Sequence, residues 1–239
     1  MKRIAIYTSI FNSYDNLPKV TYQPPNCDFI CFTESDIQSV DWKIIKVSNL
    51  YNDPVRNAKK YKILPHRYLS EYDISIYMDG NFEIREDINI LIDMYLADCN
   101  AAFFNHNQQP AYDKRNCLYE EADFIINAGM LNMQRTPERG KLNFKDNPDI
   151  IQRQILRYKE KKYPANNGLI VGGIILRRHN ELDCVNAMEE WWTEIKYFSK
   201  RDQLSFNYVA WKQQFKFNYI PGETRDNKYF CYKKHDNKK

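Results

Sequence analysis

The stretch YDISIYMDGNFEI, residues 72–84, ends an alternating apolar run on Asp79-Gly80-Asn81. Asp79 and Asn81 lie two apart, so both can offer oxygen ligands to a hard divalent cation carrying a substrate's phosphates. The same tripeptide between apolar runs also signals a two-residue β-hairpin turn, in which both central positions take positive φ. The residues that follow separate the two readings. Only Phe82 to Arg85 stand between the turn and the next helical period, a thin return strand for a hairpin, so a short strand-to-helix loop fits better. In open α/β sheets ligands sit beyond the carboxyl ends of strands, and Asp79 is at such an end. Arg56, Lys59 and Lys62 recur at helical spacing and can present cations to a diphosphate; a solvated helix face would show the same charges.

The elements that must position these residues alternate along the chain. Dense apolar runs at 3–9, 28–34, 42–47, 74–79, 101–106 and 169–177 predict strands covered on both faces. Helical patterns fall at 53–72, where Pro54 takes a first-turn position and Pro65 breaks the helix, and at 85–98, 147–163, 181–198 and 201–214. This order predicts one α/β domain over 1–239, a mostly parallel mixed sheet flanked by helices, with a polar basic tail from about 233.

Composition narrows the function classes. With 43% hydrophobic and 28% charged residues the chain is globular. A net charge of +4 and a pI near 8.6 favour an anionic substrate or a membrane surface. No clustered basic and aromatic strand pattern accompanies that charge, so nucleic acid is not an expected partner. The 6 Cys make no C-x-x-C pair, which argues against a zinc ribbon or a disulfide scaffold and for reduced thiols in the cytoplasm. MKRIAIYTSIFNSYDN is not a signal peptide, and no run approaches the roughly 18 apolar residues of a transmembrane segment. Any membrane contact is expected to be peripheral, at the inner face. Of 7 Gly, Gly168, Gly172 and Gly173 crowd one short stretch, which marks it for close backbone approach.

The ordered series IAIYTSIFNSYDNL, DFICFTESD, RNAKKYKILPHRYLSEYDISIYMDGN, FFNHNQQPAYDKRNCLYEEAD, NNGLIVGGIILRRHN and WWTEIKYFSKRDQLSFNYVAW resembles a family of glycosyltransferase-like proteins of bacteria and plants, over residues 3–212. In some plant members the domain is linked to cell-wall polysaccharide synthesis. More distantly the series is similar to the glycogenin and lipopolysaccharide galactosyltransferase group, with its GT-A fold, D-x-D metal motif, and downstream Asn-Ser-Gly and Asp-Gln pair. The resemblance implies a GT-A-like (Rossmann-like) domain.

Carried over by position, Asp79 stands for the first carboxylate of the D-x-D motif and Asn81 for the second. Asn81 departs from the pattern, because a neutral carbonyl holds a cation by less charge. The group recruits a late histidine as third ligand, and His235 is the one near this C-terminus. Gly80, Arg56 and Lys62 lie in the matching stretch and would serve the donor. The exit of the first strand offers Thr8, Phe11, Tyr14 and Asp15 for a nucleoside pocket, or a plain polar loop. His106 follows a strand end, with Arg115 and the adjacent Glu120 and Glu121 after it. Adjacent glutamates on a helix diverge, so one faces the site, and Glu121 is favoured; an ion pair with Arg115 is the structural alternative. Asn166, Asn167 and Gly168 stand near the family's Asn-Ser-Gly, where amides can bond sugar hydroxyls and glycine admits the donor, or simply form a turn. Asp202 and Gln203 match the Asp-Gln pair that faces the donor sugar, while a first-turn Asp also stabilises a helix by itself.

The expected function is a metal-dependent glycosyltransferase, using Mn²⁺ or Mg²⁺, that moves a sugar from a nucleotide-diphosphate donor to a glycan or glycolipid acceptor. The cation, Arg56 and Lys62 would stabilise the departing diphosphate while Asp202 and Gln203 orient the ring. The resemblance suggests retention of anomeric configuration; an Asp or Glu base would permit inversion. Two alternatives share the fold: a nucleotidyltransferase, which needs a second carboxylate where Asn81 stands, and a non-catalytic nucleotide-sugar or glycan-binding protein.

Overall fold

Seven strands form the main sheet, and its central strands are buried on both faces because their side chains are mostly apolar and find helices or loops on each side. The computed structural model describes residues 2–110 and 114–233. Its strands are β1 (Ile4–Ile10), β2 (Cys27–Thr33), β3 (Lys43–Lys46), β4 (Ile74–Met78), β5 (Phe82–Ile84), β6 (Ala101–Asn105), β7 (Ile170–Arg177), β8 (Asn218–Ile220) and β9 (Phe230–Tyr232). The helices are α1 (Pro54–Ile63), α2 (Asn89–Tyr95), α3 (Leu118–Arg135), α4 (Pro148–Glu160), α5 (Leu182–Tyr197) and α6 (Phe206–Gln213). The sheet runs β3-β2-β1-β4-β7-β6-β8. Its β1–β2, β1–β4, β2–β3 and β6–β8 pairs are parallel; β7 runs antiparallel to both β4 and β6. This is the mostly parallel mixed sheet flanked by helices that the sequence predicts. No helix among the described residues is long and apolar enough to cross a membrane.

The two-residue period of β1 divides its side chains between two cores. Ala5 and Tyr7 join Phe32, Tyr77, Phe103 and Trp191 on one side; Ile4, Ile6 and Ile10 join Ile76, Phe104 and Ile174 on the other. Antiparallel β7 has a functional consequence: its N-terminal half lies beside the carboxyl end of β4, and Asp79 N donates to Gly173 O at 2.9 Å.

Helix α1 starts where Asp53 caps it, its side chain accepting from Val55 N at 3.0 Å with Pro54 in the first turn. It stops before Pro65, which opens a short 3₁₀ turn, Pro65–Arg67.

The Asp79-Gly80-Asn81 segment does turn, with Phe82 N donating to Asp79 O at 3.1 Å. It is not the hairpin turn. Neither Gly80 nor Asn81 is among the positive-φ residues, and β5 leaves β4 to pair antiparallel with β9. Gly80 is needed for room, since a Cβ there would come within 3.1 Å of Ile10 Cδ1 and Asp15 Cβ. The expected 85–98 helix is correspondingly shorter, because Ile84 belongs to β5 and α2 begins at Asn89.

Candidate functional site

Two buried opposite charges, Lys62 and Asp202, meet at the carboxyl end of β4. Lys59 and Lys62, three residues apart on α1, point the same way, and Lys62 is 1% exposed. Both donate to one oxygen: Asp202 Oδ2 lies 2.5 Å from Lys59 Nζ and 2.6 Å from Lys62 Nζ. Asp202 is 4% exposed and opens a 3₁₀ turn, Asp202–Leu204, that follows α5. Lys62 Nζ is also 3.7 Å from Asp79 Oδ1, which accepts from the Tyr77 hydroxyl at 2.9 Å.

These groups set one another's charge. Burial favours a protonated Asp202, but Lys59, Lys62 and Arg201 outweigh it and hold the carboxyl far below the usual range. Asp202 is therefore a permanent anion and a poor proton acceptor. Burial pulls Lys62 down, and the carboxylates of Asp202 and Asp79 more than restore it, so it stays charged. Lys59 is the compromised partner: burial, with the like charge of Lys62 added, lowers it to about 8 against the pull of Asp202.

Two glycines of β7 make room for this cluster. A Cβ on Gly172 would stand 2.9 Å from Asp202 Oδ2 and 3.3 Å from Lys62 Nζ; one on Gly173 would stand 3.2 Å from the Phe82 ring and 3.4 Å from Asp79 Oδ2. They form the floor of a polar cavity of about 250 Å³. An outer cavity of about 620 Å³ adjoins it. Lys59, Asp79, Lys145, Arg201, Arg225 and Tyr232 line both.

Most of the residues singled out in the sequence line these cavities: Lys59, Lys62, Asp79, His106, Arg115, Glu121, Gly172, Gly173, Asp202 and Gln203 the inner one, and Phe11, Tyr14, Asp15, Gly80 and Asn81, with Lys59 and Asp79, the outer one. Glu121 is buried and accepts from Arg115 Nε at 2.6 Å, with His106 Nε2 4.0 Å away. Gln203 is tied back through Nε2 to Ile170 O at 3.2 Å. Phe11 is a wall, already stacked on Tyr61 at 5.7 Å, whereas Tyr14 is 72% exposed.

Five others lie elsewhere. Thr8 is fully buried within β1, on the side of Ile6 and Ile10, because the pleat turns Ser9 rather than Thr8 toward the cavity. Arg56 spends its guanidinium on Asp53 and on the carbonyls of Ile195 and Phe198, pinning α1 to the end of α5. Asn166, Asn167 and Gly168 precede β7 and line neither cavity; Gly172 and Gly173 do so instead. Lys59, offered in the sequence together with Arg56 and Lys62, lines both cavities, and so does Arg201, which the sequence did not single out. On sequence alone Lys59 is one more lysine of a charged helix, and the signal for it was its three-residue spacing from Lys62.

A cation at Asp79 is compatible with the local space. Gly173 leaves room beside Asp79 Oδ2, and Asn81 is 8% exposed in the same turn. Lys233 N donates to Asn81 O at 2.7 Å, so β9 carries the chain to this turn. His235, the expected third ligand, lies outside the described residues. Among the described residues no three of His, Cys, Asp and Glu group as a metal site.

A relative from Arabidopsis thaliana, the "Probable hexosyltransferase MUCI70", is 25% identical over 242 residues, covering 90% of this chain and 38% of its own length. The chain thus spans well under half of that relative. The apo structure of the bifunctional glycosyltransferase WbbM aligns with 92% of this chain and 38% of its own, at a TM-score of 0.47 and 10% identity. The family described as TOD1/MUCI70, glycosyltransferase-like domain, matches residues 31–234, and the chain belongs to that family.

Proposed function

We propose that the cleft moves a hexosyl group from a nucleoside-diphosphate sugar to a hydroxyl of a glycan. The observation that carries this reading is the Lys59–Asp202–Lys62 cluster beside Asp79, over a floor stripped of side chains by Gly172 and Gly173. The lining of the inner cavity, six Lys and Arg side chains against three carboxylates, offers net positive charge where a diphosphate would leave, and the glycines offer close backbone approach where a sugar would lie. The name of the Arabidopsis relative supports a hexosyl donor.

In this mechanism the bond between the anomeric carbon and the diphosphate oxygen breaks as a bond to the acceptor oxygen forms. Lys59, Lys62 and Arg201 offset the charge that gathers on the departing diphosphate. Asp202 fixes both ammonium groups and orients the sugar together with Gln203; its depressed pKa removes it from proton transfer. With Asp79 kept for the cation, Glu121, steered by Arg115, is the remaining carboxylate of the inner cavity and takes the proton of the acceptor hydroxyl as the new bond forms. Tyr14 and Asp15 receive the nucleoside in the outer cavity. Asp79, Asn81 and His235 would hold Mn²⁺ or Mg²⁺ jointly with the donor, and the ion would supply Lewis-acid neutralisation of the diphosphate.

Calorimetric titration of uridine, guanosine and thymidine diphosphates, with and without Mn²⁺, tests the reading. Saturable binding of at least one is expected; no binding in any condition would refute it. Asp79→Ala should abolish donor turnover and leave the unfolding transition in place, and unchanged turnover would return the Asp79 turn to a purely structural role.

A further inference from the structure

Asn167 and Gly168 fall outside the cleft but beside another concavity. Asn167 borders a shallow groove of about 400 Å³ shared with Asn207, Trp211, Gln214, Phe217 and Tyr219. No charged side chain lines it, in contrast to the cleft. A nucleotide or an acidic ligand would find no counter-charge there.

The groove is built around one unusual side chain. Of the 4 Trp in the chain, Trp42, Trp191 and Trp192 are 3%, 0% and 6% exposed, while Trp211 is 39% exposed. Its indole is held at 79° to the Tyr163 ring, with centroids 5.5 Å apart. Tyr219 is held as well: Asn207 Nδ2 donates to its hydroxyl at 3.0 Å, while Asn207 Oδ1 accepts from Ile170 N at 3.1 Å. The Tyr219 hydroxyl keeps its own proton to donate. Gly168 makes this placement possible, since a Cβ there would meet Tyr219 Oη at 2.3 Å and its φ of +81° suits glycine. On the other flank of Trp211, outside the groove, Arg157 and Lys212 are paired with Glu194 and Glu190, and Lys161 is exposed to solvent.

An oriented aromatic face edged by amides and a phenol matches the two sides of a neutral sugar ring, apolar C–H bonds on its face and hydroxyls at its rim. We propose that this groove is a second glycan-binding subsite, taking an uncharged stretch of an oligosaccharide, with Trp211 under one ring and Asn167, Gln214 and Tyr219 bonding its hydroxyls. Gly168 lies ahead of β7 and Gly172 within the strand, so the subsite lies outside the cleft and holds a part of the glycan away from the reacting hydroxyl. Only the naming of the acceptor as a glycan is borrowed from the cleft reading.

Because the other three tryptophans are buried, emission quenching by iodide reports Trp211. Malto-, cello- and galacto-oligosaccharides of four to six units are titrated into the intact protein. At least one series is expected to shield Trp211 saturably, and Asn167→Ala to weaken that binding by about tenfold, as for one lost hydrogen bond. Trp211→Phe is followed by calorimetry and should lose the same binding. No shielding by any series, or calorimetric binding that persists in Trp211→Phe, would overturn the subsite. Nucleoside-diphosphate binding to the wild-type protein is measured separately, so failure of the cleft reading leaves the oligosaccharide signal interpretable.

Discussion

Replacing Asp202 by asparagine keeps the volume of the side chain and removes the one charge that Lys59 and Lys62 share. Lys62 is 1% exposed, and its contact with Asp202 is 2.6 Å, so solvent screens little of the loss. Stranding one member of a buried ion pair costs about 3–5 kcal/mol. Asp79 Oδ1, 3.7 Å from Lys62, remains as a partial partner and places the cost at the low end, about 3 kcal/mol. At roughly 2–4 °C per kcal/mol for a chain of this size, the midpoint of thermal unfolding should fall by about 6–12 °C. The pH dependence has a definite sign. Asp202 has a depressed pKa in the folded state, so its contribution is complete above the unfolded carboxyl value near 4 and is lost as pH falls below it. The gap between wild type and Asp202→Asn should therefore close on acidification, when both are followed by circular dichroism. Adding Lys62→Met to Asp202→Asn should recover part of the stability by removing the stranded charge. A midpoint within about 2 °C of wild type at neutral pH, or a gap unchanged in acid, would show that the lysines do not depend on Asp202.

Other substitutions separate the cleft from its supports. Lys59 titrates at about 8, so nucleoside-diphosphate affinity should weaken as pH rises through that value, and Lys59→Arg should flatten the profile; equal slopes in the two proteins would remove Lys59 from the diphosphate site. Gly172→Ala places a Cβ 2.9 Å from Asp202 Oδ2, and donor affinity measured by calorimetry should fall by about tenfold or more; unaltered affinity would mean that the floor is not close to the donor. Arg56→Ala breaks the tether to Asp53, Ile195 and Phe198 and should cost about 1.5–3 kcal/mol in urea unfolding. Its nucleotide affinity should stay at the wild-type value, and a large loss of affinity would restore the donor role expected from the sequence.

The sheet was legible because buried strands leave continuous apolar runs, and six of its seven strands were read within a residue or two of their ends. The seventh, β8, is three residues long, and so are β5 and β9; none is long enough to show a period. β5 was masked further by its partner, since β9 lies near the other end of the chain and no local pattern announces the pairing. Asp79, Glu121 and Asp202, which line the inner cavity, were singled out by their place at strand and helix ends and by family resemblance. Thr8 was misplaced because a polar residue in a strand looks available until the pleat decides its side. Arg56 and Lys59 parted for a related reason: both sit on α1, and only the tertiary packing of α1 against α5 shows that Lys59 faces the cavity while Arg56 is tied to Ile195 and Phe198. Gly172 and Gly173 were visible as a cluster, but their use depends on antiparallel β7 lying next to β4, a topology that no residue of β7 declares.

The central claim is transfer of a hexosyl group by the Asp79 cleft, and the most direct measurement is release of nucleoside diphosphate from a panel of nucleotide sugars, with oligosaccharide acceptors and Mn²⁺ present. Wild-type protein should release diphosphate from at least one donor, faster with acceptor than without, and Asp79→Ala should release none. Donor that binds but is never turned over would make the protein a binding module of the same fold. Equal release by Asp79→Ala would contradict the assignment of the site.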